Sequence, residues 1–163
     1  MRLARTPHSS LAMTQLQQER RELRARAFEL AVRVFNLYPR LAAAGPAHEF
    51  VARQLLKAAT SIGSQLEEGH AASSRRDMAE KHGIALRESR ESNYWARIGA
   101  SDPNWARELK PIVTETQEFI AMLTASVRKL RRPQIPPAAM GLAILASSLL
   151  LLPYLQLTSQ LQS

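Results

Sequence analysis

Glu67 and His70 are the residues of this chain whose types and spacing most invite chemistry, because a Glu-x-x-His step is how helical bundles hold paired metal ions. That arrangement needs two such steps, plus a glutamate from each of two further helices, all turned inward. One step is present, in Glu67-Glu68-Gly69-His70, and it straddles a glycine expected to end a helix. No metal site is expected from it. His82 stands among Met, Ala and Ser positions and reads as a hydrogen-bonded packing residue, while His8 and His48 fall in a tail and near a helix start. The 163 residues contain no cysteine, so thiolate ligands and disulfides are excluded and the cytoplasm is the default compartment. Neither a glycine-rich phosphate loop nor a nucleophile elbow occurs. The expectation is a protein with no catalytic residues and no cofactor.

The stronger chemical signal is cationic. Lys and Arg number 22 against 14 Asp and Glu, for a net charge of +8, and such a balance favours acidic partners, nucleic acid or an anionic membrane. Arg20, Arg21, Arg24 and Arg26 crowd one short stretch with only Glu22 between them. A second group, Arg75, Arg76, Arg87 and Arg90, runs along a later helix together with Lys81 and Arg97. Contacts to phosphate need only cations spaced to follow a backbone, and they supply affinity without reading sequence. In the second group carboxylates are interleaved, and Arg87 can pair with Glu91 on the next turn. The first group is therefore read as the less compensated of the two.

These residues must be carried by helices. Leu23, Ala27, Leu30, Val34, Leu37 and Leu41 recur in steps of three and four, as do Val51, Leu55, Ala58, Ile62 and Leu66. Pro39 and Gly45-Pro46 place the turn between these two helices within residues 39–47. Gly69 is expected to close helix two in the left-handed conformation, and Ser74 with Asp77 starts a third helix over about 75–100. That helix has a small-residue seam, Met78, His82, Ala85, Ser89 and Ala96, and other sides carrying Ile84, Tyr94, Trp95 and Ile98. A helix apolar in two directions touches two things: one is the bundle, and the other is either a neighbouring subunit, which makes Ile84, Tyr94, Trp95 and Ile98 the candidate oligomer interface, or the turn and the start of helix four at the bundle end. After the turn Asp102-Pro103-Asn104, a fourth helix repeats through Leu109, Ile112, Val113, Thr116, Phe119, Ile120, Leu123, Val127 and Leu130, with Pro111 expected in its first turn. The fold expected is all-α, an antiparallel up-down-up-down four-helix bundle over residues 16–132.

Two appendages flank it. Residues 1–15 read as a basic, flexible N-terminus, and residues 133–163 as an uncharged Pro/Leu-rich tail. Residues 138–157 come close to the roughly 20 apolar residues of a membrane span. Arg128, Lys129, Arg131 and Arg132 just before them would hold the bundle on the cytoplasmic side of an inner membrane. The alternative is a fifth helix packed on the bundle.

The run Ser61-Ile62-Gly63-Ser64-Gln65-Leu66-Glu67-Glu68-Gly69, a short Ser-Arg-rich turn, and the segment from Ile84 to Ile98 resemble a bacterial four-helix-bundle family. Its members include proteins encoded in intervening sequences of large-subunit rRNA genes and the accessory variability proteins of diversity-generating retroelements. The resemblance spans roughly Ala27 to Arg131. It implies a bundle that forms a homo-oligomer, pentamer-like, and a precedent for contact with nucleic acid (RNA or DNA) or with a reverse transcriptase. No residue-level binding motif carries over. A membrane-tethered helical interaction protein is the alternative function.

Overall fold

The computed structural model describes residues 7–133, and the expectations for residues 1–6 and for the tail from 134 onward, including the 138–157 span, lie outside them. The helices are α1 (Pro7–Ala42), α2 (Pro46–His70), α3 (Arg75–Ala100) and α4 (Ala106–Arg131). They fall within one compact unit, Met1–Arg131. Among the described residues no helix is long and apolar enough to cross a membrane.

Cross-links between helices fix the topology. Arg24 at the middle of α1 meets Glu67 at the end of α2, and Arg40 at the end of α1 meets Glu108 at the start of α4. Lys81 of α3 reaches back to Glu68, and Arg75 donates to the carbonyls of Lys129 and Leu130 at the end of α4. Each neighbouring pair therefore runs antiparallel. The core lies on the four periodic faces: Leu30, Leu55, Ile62, Leu109, Ile112, Phe119 and Leu123 are essentially inaccessible. At roughly 1.5–3 kcal/mol per buried aliphatic or aromatic side chain, these faces dominate the stability of the bundle.

Local signals account for the helix ends, with three departures. Ser74 caps α3 as expected, its hydroxyl accepting from the Asp77 amide at 3.1 Å. Gly69 does not terminate α2 in the left-handed region; the sole positive-φ residue among those described is Gly45, at φ 135, which precedes α2. What position 69 requires is the absence of a side chain, because a Cβ there would lie 3.1 Å from His82 Cδ2 and 3.3 Å from Lys81 Cβ. Pro39 lies inside α1, in its last turn and facing solvent, where the carbonyl it leaves unbonded can be hydrated. Pro111 lies one turn deeper in α4 than expected, again at a solvent-facing position.

A buried polar layer ties α3 to α4. Asn93 donates to Thr116 Oγ1 at 2.9 Å and to the Val113 carbonyl at 3.1 Å, and the Thr116 hydroxyl bonds the Ile112 carbonyl at 2.8 Å. These donors and acceptors satisfy one another, so the layer avoids the penalty of an unpaired polar group.

Candidate functional site

The antiparallel order brings the middle of α1, the end of α2, the start of α3 and the end of α4 to the same end of the bundle. That end gathers Arg20, Arg21, Arg24, Arg75 and Arg76 from the two sequence groups, and adds Arg128, Lys129 and Arg131 from α4. Arg131 lies against Gly83 of α3.

Ion pairing divides the arginines differently from their neighbours in sequence. Arg24 is bound to Glu67 at 2.8 Å. Arg26 is held by Glu118 at 2.5 Å and Glu115 at 2.9 Å and sits over the Phe119 ring, 5.7 Å from its centroid. The Glu118 hydrogen bond, and secondarily Glu115, holds the Arg26 guanidinium more firmly protonated than usual. Arg75 is spent on the carbonyls that end α4, the position at which a cation best offsets the helix dipole. Arg76 makes only a loose pair with Glu80 at 3.5 Å while remaining almost wholly in solvent. Arg87 and Arg90 are exposed and have no carboxylate partner among the described residues; the expected Arg87–Glu91 pair does not form. The reading of Arg20–Arg26 as the less compensated group is thus corrected: Arg24 and Arg26 are neutralised by carboxylates 43, 89 and 92 residues away in the chain. Arg20 and Arg21 remain exposed.

Two apolar surfaces are exposed. Tyr94 is 55% exposed and stacks edge-on against Trp95 at 5.0 Å, and Trp95 meets Phe50 of α2 in a second edge contact at 5.4 Å. Ile98 lies one turn along and is also partly exposed. Three of the four candidate interface residues therefore form one patch, with Phe50 as a member the sequence reading missed. Ile84, half-buried, lies three turns away, roughly 16 Å at 1.5 Å per residue. The second surface is on α1. Phe28 is 69% exposed, Phe35 65% and Val32 40%. With Ala25 and Pro39, these residues follow a 3-4-3-4 spacing on the side of the helix opposite its core face. That spacing was legible but was overlooked beside the core stripe of the same helix.

The histidines are not gathered. His48 bonds Asp102 at 3.0 Å at the far end of the bundle, where Asp102 also accepts from the Asn104 amide. The Asn104 hydrogen bond foremost, then His48, holds the Asp102 carboxyl below its usual range. His82 is buried on the α3 seam and shares its Nδ1 with Ser126 Oγ at 2.9 Å; burial first, and the charge of Arg20 second, push it below the ordinary histidine value. Among the described residues no group of three or more His, Asp or Glu side chains is placed to hold a metal ion.

Comparison with known proteins agrees with this architecture. The model of a family described as 23S rRNA-intervening sequence protein matches residues 19–125. A solved structure from Bacteroides thetaiotaomicron VPI-5482, described as a protein with unknown function from the S23 ribosomal protein family, is 28% identical and superposes with a TM-score of 0.58. The match covers 64% of this chain and 97% of that one. No curated protein matches.

Proposed function

The chain belongs to the 23S rRNA-intervening sequence protein family, and from that premise we propose that it is a non-enzymatic, self-associating bundle that presents cations to nucleic acid. The observation that carries this reading is a group of exposed arginines on α3 and α4 without carboxylate partners among the described residues, Arg87, Arg90, Arg128 and Arg131 among them. A solvated helix surface in a folded protein usually interleaves its charges, and here α4 bears no carboxylate after Glu118. Such a surface binds phosphates by releasing counterions, and it does so with little regard to sequence.

Self-association rests on the two apolar surfaces. The α1 stripe and the Phe50–Tyr94–Trp95–Ile98 patch differ in shape and composition. A contact of one with the other on the next copy is heterologous, the kind that closes into rings. Assembly repeats the exposed arginines of α3 and α4 around the axis, so several weak phosphate contacts act together.

The test is fluorescence anisotropy with a labelled duplex DNA and a labelled single-stranded RNA across a salt series, with light scattering for mass. Log affinity should fall with log salt at a slope of about 0.9 per phosphate contacted on the duplex. A folded protein that binds neither probe at low salt would overturn the nucleic-acid reading, and one that scatters as a monomer would overturn self-association.

A further inference from the structure

The carboxylates of α3 and α4 are sorted to the flanks of the pair. On α4, Glu108 is bound by Arg40, and Glu115 and Glu118 by Arg26, so all three face α1. On α3, Lys81, Glu88 and Trp95 stand seven residues apart and share one face of the helix. Lys81 reaches Glu68 and Trp95 meets Phe50, both on α2, so Glu88 lies on the α2 side. Glu91 accepts from the Trp95 indole at 3.5 Å on that side too. The outer side shared by α3 and α4 is left to cations. Arg87, Arg90 and Arg97 line it on α3, and Lys110, Arg128 and Arg131 on α4, each exposed and without a carboxylate partner among the described residues. Glu80 remains on this side, and Arg76 lies 3.5 Å from it. The two helices are joined beneath these rows, where Asn93 bonds the Val113 carbonyl and Arg131 lies against Gly83.

Between the rows α4 presents Thr114, Gln117, Ala121 and Thr124, in steps of three and four. This floor carries no charge. Thr114 donates its hydroxyl hydrogen to the Lys110 carbonyl at 3.2 Å and Thr124 to the Ile120 carbonyl at 2.6 Å, so each oxygen offers only lone pairs to a ligand. Phosphate oxygens also accept and cannot use them. A ligand that suits this face therefore brings two rows of anionic oxygens with hydrogen-bond donors between them. We propose that the outer face of α3 and α4 takes double-stranded RNA across its minor groove, with the two cation rows on the phosphates of opposite strands and Thr114 and Thr124 accepting from 2′-hydroxyls.

This inference rests on the nucleic-acid reading above and names the class of nucleic acid. Packed helix axes lie about 8–10 Å apart, and arginine side chains widen that span. Such a spacing suits the wide, shallow minor groove of A-form RNA better than the B-DNA minor groove of about 6 Å. DNA also lacks the 2′-hydroxyl. Single strands are favoured where aromatic rings give bases a platform, but Tyr94, the exposed aromatic of α3, lies edge-on against Trp95 in the patch assigned to self-association. From Arg76 to Arg97 the face runs roughly 30 Å at 1.5 Å per residue, long enough to meet several successive phosphates.

The experiment is competition anisotropy on the full-length protein, with one sequence of about 16 base pairs prepared as an RNA duplex, a DNA duplex, single-stranded RNA and a 2′-fluoro RNA duplex, which keeps the A-form and loses the hydroxyl. The RNA duplex should compete at least tenfold better than the DNA duplex or the single strand, and severalfold better than the 2′-fluoro duplex. Thr114→Val with Thr124→Val should erase the difference between the RNA and 2′-fluoro duplexes while leaving the salt slope unchanged. Arg90→Gln with Arg128→Gln should lower that slope on every duplex. A folded protein that binds none of these probes overturns the nucleic-acid reading and this inference with it. Binding in which the DNA duplex or the single strand matches the RNA duplex leaves the nucleic-acid reading standing and overturns this inference. A 2′-fluoro duplex that binds as well as RNA overturns the hydroxyl contacts on which the choice of RNA depends.

Discussion

The two ends of the bundle differ in how closely the helices meet. At the end where α1 meets α2 and α3 meets α4 the junctions are tightly packed and cross-linked, although Arg97, Arg107 and Lys110 stay exposed there. His48 is bonded to Asp102, Arg40 to Glu108, and Arg40 lies over the Trp105 ring. Leu109 presses so closely on Gly99 that a Cβ there would come within 2.6 Å of it. At the other end the cations outrun the carboxylates, a recess of about 10 Å³ is left between α1, α2 and α3, and a buried arginine N–H is without a partner among the described residues. A polar group left so is a cost that packing elsewhere must offset. The contrast assigns stability to the tightly packed end, while the binding proposed above belongs to the outer side of α3 and α4.

The comparison can be broken or sharpened by substitution. The largest effect is expected at the middle of the shared core: Ile62→Asp places an unpaired carboxylate where nothing is accessible. Its cost of several kcal/mol rivals the roughly 5–15 kcal/mol of a typical domain. Circular dichroism on heating should show no cooperative transition. A variant melting like the parent would remove Ile62 from the core. Next comes the tightly packed end, where Leu109→Ala should lose about 2–5 kcal/mol in denaturant unfolding while leaving the salt slope of binding intact.

An intermediate effect is expected from acid. His82 folds with its affinity for protons below that of the unfolded chain, so the folded state binds fewer protons. Stability should therefore be full above the ordinary histidine value near 6.5, and should decline as pH falls below it toward the lowered folded value. His82→Asn should flatten that decline in a series of melts. An equally steep decline in the variant would place the acid sensitivity elsewhere. The smallest effects on stability, within about 1 kcal/mol, belong to the exposed arginines. Arg87→Gln with Arg90→Gln should leave the melt unchanged yet reduce the salt slope by up to about 0.9 per lost contact. Arg24→Gln with Arg26→Gln should change the slope less, because carboxylates already occupy both side chains. The reverse ranking would restore the order suggested by the sequence.

The core was legible because burial on a helix follows a period that residue types report directly; every position of the α2 face from Val51 to Leu66 proved buried. The cap at Ser74 was legible for a similar reason, since its partner lies three residues away. Gly69 was misread because a glycine that must turn left-handed and one that must simply lack a side chain look alike in a sequence. The charge state of the surface was not legible at all. Whether Arg26 is free depends on Glu115 and Glu118, which only the closing of α4 beside α1 brings within reach. The α1 stripe was written plainly in Phe28, Val32 and Phe35, but a reading that stops once one apolar face is found will pass over a second.

The Asn93–Thr116 tie reaches beyond the core it sits in. Shifting α4 along α3 by one turn, about 5.4 Å, would strand the Asn93 amide in an apolar interior. The bond thus acts as an index mark that locks the two helices in phase. Asn93 is also the chain neighbour of Tyr94, so the same bond sets the angle at which the aromatic patch faces outward. In a closed ring every subunit repeats the angular error of the first, and a few degrees per copy turn a closed circle into an open spiral. In the ring proposed above, a single amide in the interior would therefore decide whether the outer surfaces meet after the last copy.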